Sequence, residues 1–379
     1  MSRRSTGACK HSTNASDRGH THKLHHRLCC TVASQFVRSP AFWQASRAKP
    51  GGTLRTPFLP SFLDAAPKAS CTASKHVRQS PCQAKAMSSE APKQISTPKA
   101  QKVNIALCQI AVSEDKDKNI QTAKAAIQEA TQAGAKLVVL PEMWNCPYSN
   151  ESFPKYAEDI DAGSSASVSA MSSAAKENAV TLVAGSIPES SNGKLYNTCC
   201  VFDDQGKLLV KHRKVHLFDI DIPGKITFKE SETLTQGDDF TVVDTPACRV
   251  GIGICYDLRF PELAMVYAQR GVQLIVYPGA FNMTTGPAHW ELLQKARAVD
   301  NQLFVATCSP ARNQGAGYTA WGHSMIIDPF AAIVAQTQES AGTVHAEIDF
   351  AQVNERRQNM PLFKQKRFDL YALIDKTLS

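Results

Sequence analysis

Acidic side chains are almost missing from the first quarter of the chain. Residues 1–89 carry 14 Lys and Arg but only two acids, Asp17 and Asp64. The remaining residues hold 28 basic and 32 acidic side chains, so the overall charge of +8 belongs to that first stretch. The larger part is mildly acidic and gives no electrostatic case for a nucleic-acid partner. No run approaches the roughly 20 apolar residues of a membrane span. That argues against a membrane anchor, and residues 1–89 lack the apolar core of a secretory signal. No G-x-G-x-x-G opens a helix after a strand: Gly251 and Gly253 lack the third glycine. There is no P-loop either, so a dinucleotide or phosphate cradle is not expected. No repeat recurs at a fixed period.

Metal-type cysteine pairs are also missing. His20, His22, His25, His26, Cys29 and Cys30 crowd together, but adjacent cysteines lack the spacing and the rigid framework that zinc needs. The other seven cysteines after residue 89 (108, 146, 199, 200, 248, 255 and 308) are odd in number and irregular in spacing. We read them as free thiols of a reducing compartment.

An Arg- and Ser-rich, acid-poor segment is what an organelle transit peptide looks like. Residues 1–89 are therefore read as a disordered transit peptide. Its length favours the chloroplast, with the mitochondrion as the alternative. Met87 offers an internal start that would give a cytosolic form. Residues 90–101 form a polar, Pro-containing linker. Residues 102–379 suffice for one large α/β domain of about 280 residues.

Within that domain, strands alternate with helices in some places and with other strands elsewhere. Val103 to Ile110 alternates well enough for a strand. Ile120, Ala123, Ala126, Ile127 and Ala130 recur at helical spacing before Gly134. A second helix carries Ala170, Met171 and Ala174. Leu195 to Phe202 and Lys207 to Arg213 form an antiparallel pair turned at residues 203–206. A loop over residues 278–287 precedes a helix from His289 to Asn301. The pattern predicts an α/β layered domain with one or two mixed sheets.

The stretch VGIGICYDLRFPEL, residues 250–263, is a buried strand running through a tight turn into a helix. Such an elbow exposes one side chain, here Cys255, at the end of a sheet. Gly251 and Gly253 would admit close backbone neighbours. The dipole of the helix from Pro261 would lower the thiol pKa below its free value of about 8.5. A nucleophilic cysteine needs a base and an oxyanion donor. Glu142, after Leu140-Pro141, and Lys214, within KHRKVHLF, stand at the ends of other strands. Strand ends along one sheet edge are where α/β sites assemble. His216, His289 and His323 remain rival bases on spacing alone. Cys146 lacks the elbow and reads as pocket wall. Arg259 could pair with Asp257 or Glu262, or bind an anion.

PEMWNCPY around Glu142, HRKVHLFDIDIPG around Lys214 and GICYDLRFPE around Cys255 resemble, in this order, the three motifs of the nitrilase (carbon–nitrogen hydrolase) superfamily. The resemblance covers residues 103 to about 375. It implies a four-layer αββα sandwich and a Glu-Lys-Cys triad of Glu142, Lys214 and Cys255. Glu230 would be a second glutamate that orients Lys214 and the substrate. The Tyr256 N–H would assist at the oxyanion. Arg259, Phe281 and Thr285 would line a pocket for the substrate carboxylate. FDIDIPGKITFKES, YPGAFNMTTGPAHWELLQKARAVDNQ and YTAWGHS resemble the omega-amidase branch. The expected reaction is hydrolysis of small keto-acid amides, α-ketoglutaramate and α-ketosuccinamate, through a cysteinyl thioester. No cofactor or metal is implied, and a homodimer or larger homo-oligomer is expected. Deaminated-glutathione amidases share the CYDLRFPEL signature, although the Asp-Ile-Asp-Ile-Pro-Gly segment argues against them. N-carbamoyl amide hydrolases share the triad, and a non-catalytic scaffold of the same fold is a further alternative.

Overall fold

A computed structural model describes residues 102–378. The expected transit peptide and linker, Met87 and the His/Cys cluster lie outside the described residues.

The first sheet contains β1 (Lys102–Gln109), β2 (Leu137–Val139), β3 (Thr181–Ser191), β4 (Lys194–Phe202), β5 (Leu208–Arg213) and the last strand, β14 (Gly342–Asp349). A separate hairpin follows β5, formed by β6 (Asp219–Ile222) and β7 (Ile226–Lys229). The second sheet contains β8 (Thr241–Asp244), β9 (Arg249–Ile252), β10 (Leu274–Pro278), β11 (Phe304–Cys308), β12 (Met325–Ile327) and β13 (Ile333–Gln336). Strand order is β14-β1-β2-β3-β4-β5 in the first sheet and β13-β12-β11-β10-β9-β8 in the second. Each has three adjacent parallel strands, β1-β2-β3 and β9-β10-β11, flanked by antiparallel ones. Both sheets are therefore mixed, as the sequence pattern predicts.

The helices are α1 (Lys116–Gln132), α2 (Phe153–Tyr156), α3 (Ala166–Glu177), α4 (Pro261–Gln269), α5 (Gly286–Asn301), α6 (Ala351–Asn359) and α7 (Leu362–Gln365). The pleat of β1 shows how the layers form. Val103, Ile105 and Leu107 point into a core shared with Val250, Ile252, Leu274 and Val276 of the second sheet. Ala106 and Cys108 point the other way, against Ala123 and Ile127 of α1, in a core that also takes in Met171 and Ala174 of α3. Successive strand residues face opposite sides, so one strand serves two cores. The helix–sheet–sheet–helix sandwich follows, with α4 and α5 on the outer side of the second sheet.

Two local features depart from the sequence reading, and a third element forms where that reading placed none. The helix expected from His289 begins three residues earlier, at Gly286. Pro287 fits its first turn, and Asn282 Oδ1 accepts the Thr284 and Thr285 N–H groups at 3.0 and 2.9 Å. Residues 219–229 form the β6–β7 hairpin, with Ile220, Ile222, Ile226 and Phe228 more sheltered than the residues between them. Gly251 and Gly253 do make room for neighbours, but these are aromatic rings rather than backbone. A Cβ on Gly253 would lie 2.5 Å from Tyr277 Cε1, and one on Gly251 would lie 2.8 Å from Tyr267 Cδ2.

Tyr277 is fully buried and has nowhere to retreat. Gly253→Ala is expected to destabilise the fold by about 1–3 kcal/mol, the usual cost of overpacking. Urea unfolding of the variant beside wild type reads this directly. An unchanged midpoint would mean that the ring yields at no cost.

Candidate active site

Four loops meet where parallel strands end. The loop after β2 carries Glu142, the end of β5 runs into Lys214, the turn after β9 carries Cys255, and the loop after β10 brings the Ala280 amide. Glu142 and Lys214 belong to the first sheet, Cys255 and Ala280 to the second. The expectation of a single sheet edge is thereby corrected. The site lies across both sheets, because the sandwich stacks two such edges.

Cys255 sits on the elbow with φ of 47°, in the left-handed region that side chains with a Cβ avoid. A short 3-10 turn, Cys255–Arg259, separates it from α4. The Ala280 N–H points at Sγ from 3.4 Å, and the thiol is in hydrogen-bond contact with the Glu142 carboxylate. No histidine takes that place. His216 instead donates from Nδ1 to Asp257 Oδ1 at 2.7 Å. His289 Nδ1 accepts from Arg259 Nη1 at 3.2 Å, and His323 stacks on Trp321. Cys146 is buried and lines the neighbouring cavity, without a strained elbow of its own.

Glu142 is fully buried. Its Oε1 accepts from Asn197 Nδ2 at 2.8 Å and Lys214 Nζ at 3.0 Å, with Tyr148 Oη 3.5 Å away. Its Oε2 accepts the Ala280 N–H at 2.9 Å. Lys214, equally buried, also donates to Glu230 at 2.9 Å. Glu230 accepts from Tyr148 Oη at 2.6 Å and from the Phe218 N–H at 2.7 Å. An ammonium has three protons. Glu142 Oε1 at 3.0 Å and both Glu230 oxygens at 2.9 Å surround the Lys214 ammonium.

Two carboxylates and one ammonium share a dry site, and their titration follows from that. Burial, followed by the Lys214 and Glu230 charges acting in opposite senses, leaves Glu142 raised above the ordinary carboxylate range. Burial alone pulls Lys214 down, but Glu142 and Glu230 outweigh it and hold the ammonium well above the usual lysine range. Burial first, then the Glu142 charge, pushes the Cys255 thiol well above its ordinary value. This overturns the expectation of an easily ionised thiol. The α4 dipole begins six residues later and is outweighed by desolvation at the elbow. The resting pair is a thiol beside a carboxylate, which can pass a proton when an electrophile arrives.

The pocket residues expected from the sequence divide into two groups. Arg259 is half-buried, with its guanidinium 4.7 Å from the Phe281 ring centre and 5.5 Å from that of Tyr256. Among the described residues it pairs with no carboxylate: Asp257 is engaged elsewhere, and Glu262 makes no ion pair. A cation held between two rings with no counter-ion can take an anionic ligand. Thr285 is placed differently. Its Oγ1 donates to Asn282 Oδ1 at 3.1 Å, at the start of α5.

A cavity of about 650 Å³ opens beside Glu142, lined by Tyr148, Ala280 and Tyr318 among others. Sequence reasoning did not find Tyr148, Tyr318 or Asn197 as site residues. Tyr148 sat in view within PEMWNCPY, but nothing in the motif says that its hydroxyl reaches two glutamates. Tyr318 stacks on Tyr148 at 4.5 Å and donates to the Ala280 carbonyl at 2.6 Å. Among the described residues, no group of three His, Cys, Asp or Glu is placed to hold a metal ion.

Comparison with known proteins agrees with this geometry. The family described as carbon-nitrogen hydrolase matches residues 104–358. The chain is 60% identical over 283 residues to "Omega-amidase, chloroplastic" of Arabidopsis thaliana, spanning 74% of this chain and 77% of that protein. It is 57% identical over 272 residues to "Omega-amidase NIT2" of Bos taurus, spanning 72% of this chain and 98% of that protein. Among solved structures, Nit3 of Saccharomyces cerevisiae, described as a member of branch 10 of the nitrilase superfamily, aligns with a TM-score of 0.65. That match is 45% identical and covers 70% of this chain and 97% of Nit3. The NitFhit protein of C. elegans aligns with a TM-score of 0.65 at 35% identity, covering 72% of this chain and 66% of that one.

Two outcomes test the site. Because the Cys255 pKa is raised, its thiolate fraction is small at neutral pH and grows as pH rises. Iodoacetamide modification of Cys255, followed by peptide mass spectrometry, should keep accelerating past pH 9. A rate that levels off by pH 7 would contradict the assigned direction. Tyr148→Phe deletes a hydrogen bond to a charged group, worth about 1.5–3 kcal/mol. It should lower kcat for amide hydrolysis by about tenfold or more, and unchanged kinetics would remove Tyr148 from the site.

Proposed function

Because the chain belongs to the carbon–nitrogen hydrolase family, we propose that this amidohydrolase is an omega-amidase that uses Cys255, Glu142 and Lys214 as its catalytic residues. One observation carries the reading: a buried carboxylate and a buried ammonium, 3.0 Å apart, converge on a thiol held on a strained elbow. The identities of 60% and 57% to two omega-amidases support the branch.

The chemistry follows from the contacts. Glu142 takes the Cys255 proton as sulfur attacks the amide carbon. The carbonyl electron pair moves to oxygen, and the Lys214 ammonium and the Tyr256 N–H hold the resulting oxyanion. Glu230 keeps Lys214 charged and aimed. The intermediate collapses, Glu142 returns its proton to the departing nitrogen, and ammonia leaves a thioester on Cys255. Glu142 then deprotonates water, which attacks the thioester. The second collapse expels sulfur, which takes its proton back from Glu142. A donor aimed at an oxyanion is worth roughly 2.7–4 kcal/mol, which explains why the lysine is buried despite its cost.

Substrates of this class, α-ketoglutaramate and α-ketosuccinamate, carry a carboxylate at the far end from the amide. Arg259, flanked by Tyr256 and Phe281, is the group suited to bind it, and we assign Thr285, at the start of α5, to the same pocket. The acid-poor residues 1–89 and the chloroplastic relative together support delivery to the chloroplast, with a transit peptide ahead of the residue 90–101 linker. We take the working assembly to be a homodimer.

Ammonia release from α-ketoglutaramate, with deaminated glutathione as the competing substrate, tests this reading. Wild type should prefer α-ketoglutaramate, and Cys255→Ala should abolish turnover in a folded protein. Arg259→Lys, which loses the two-pronged grip on a carboxylate, should raise KM by about tenfold or more with a smaller change in kcat. Preference for deaminated glutathione would keep the triad and overturn the substrate. Turnover surviving in Cys255→Ala would overturn the mechanism.

A further inference from the structure

Asp257 lies two residues past the nucleophile and is fully buried. Its Oδ2 accepts the N–H of Ile254, immediately before Cys255, at 2.9 Å. Its Oδ1 accepts both the backbone N–H of His216 at 2.9 Å and the His216 Nδ1 proton at 2.7 Å. His216 is two residues past Lys214. One carboxylate thus ties the elbow of the second sheet to the strand end of the first. His212, in β5, brings Nε2 to 3.6 Å from Oδ2 and is itself held by Thr241 of β8 through Nδ1 at 2.9 Å. The His216 ring lies flat on Phe260 at 3.7 Å, which fixes the direction of its donor. Burial disfavours the charged carboxyl, but the nearby His212 ring, the hydrogen bond from His216 and the Ile254 amide hold it well below the usual carboxylate range, so it acts as an anion throughout.

We propose that Asp257 is a positioning residue that sets the register between Cys255 and Lys214 by holding the Ile254 amide and the His216 segment on one carboxylate. The inference rests on Cys255 and Lys214 being the reacting pair. A non-glycine residue at φ of 47° persists only where its surroundings over-determine it. The Ile254 amide enters that turn, and Asp257 grips it. A carboxylate serving merely as the cap of the short turn would need only the Ile254 bond. The two bonds to His216 reach across to the other sheet and add nothing to the turn itself. They add a constraint on where Lys214 stands relative to sulfur. Misplacement by about 1 Å costs on the order of a hundredfold in rate.

The test uses the full chain carrying Asp257→Asn, with folding checked by circular dichroism and melting. The amide keeps the shape and loses the charge and one acceptor. In a folded variant kcat on α-ketoglutaramate should fall by about tenfold or more while KM stays within about twofold, because the substrate grip is untouched. Alkylation of Cys255 by iodoacetamide at fixed pH should slow in parallel. His216→Ala removes only the side-chain arm and should lower kcat several-fold, and His216→Asn, which restores a donor, should recover most of it. Wild-type kcat and alkylation in folded Asp257→Asn would overturn the proposal. If that variant does not fold, the His216 pair decides, and wild-type kcat in His216→Ala would overturn it. The alkylation readout needs no substrate. Wild-type protein that alkylates at Cys255 yet leaves α-ketoglutaramate intact would therefore count against the omega-amidase reading alone.

Discussion

One lysine buried between two glutamates is the constraint on which the rest of the site depends. Lys214 and Glu142 are 3.0 Å apart, Glu230 closes the other side at 2.9 Å, and all three are shielded from water. Ions taken out of water cost several kcal/mol each unless partners and hydrogen bonds replace the lost hydration. Asn197, Tyr148 and the amides of Ala280 and Phe218 supply those hydrogen bonds. The cluster still carries one carboxylate more than it has ammonium charge. Burial raises Glu142, with Lys214 and Glu230 acting on it in opposite senses, and burial followed by the Glu142 charge raises the neighbouring thiol. Glu142, Lys214 and Cys255 thus act on one another's charge within a single buried cluster.

The fold exists at this point because two sheets must end together. Each sheet runs three parallel strands, and the loops leaving them turn inward from both halves of the sandwich. The β6–β7 hairpin completes the ring. It delivers Glu230 at its exit while Phe228 packs against Phe218 and Tyr148. The shared core behind the site, from Leu107 through Ile252 and Val276, is dry and close-packed. A rigid backing of this kind lets the loops hold geometry to within the tolerance that catalysis requires.

Much of this was legible in the sequence, for identifiable reasons. Alternation in Val103 to Ile110 and helical spacing from Ile120 to Ala130 mark faces of buried elements, and periodicity reports burial well. Glu142 stood out because a carboxylate at the end of a buried strand has to be accounted for, and Lys214 because it stands at the end of another, base-rich strand within KHRKVHLF. Cys255 stood out through its elbow. Legibility ended where the outcome depended on contacts across the fold. Tyr148, Asn197, Tyr318 and Asp257 act through partners 38 to 170 positions away, with the exception of the short reach from Tyr148 to Glu142 and from Asp257 to Ile254. The β6–β7 hairpin was hidden by its charged alternate residues, which face outward. The sign of the Cys255 shift was misread because a local dipole can be inferred from sequence, whereas desolvation by a second sheet cannot.

The central claim is that Cys255 forms a thioester with the substrate while Glu142 and Lys214 manage the proton and the oxyanion. Rapid quenching of the full chain with excess α-ketoglutaramate, followed by mass spectrometry of the Cys255 peptide, tests it most directly. The account predicts an adduct on Cys255 with the mass of the substrate less ammonia, forming no slower than ammonia is released and accumulating in proportion to the enzyme. Ammonia release in a single turnover with the Cys255 peptide unmodified at every time point, under conditions where a slowed deacylation would trap the adduct, would contradict it.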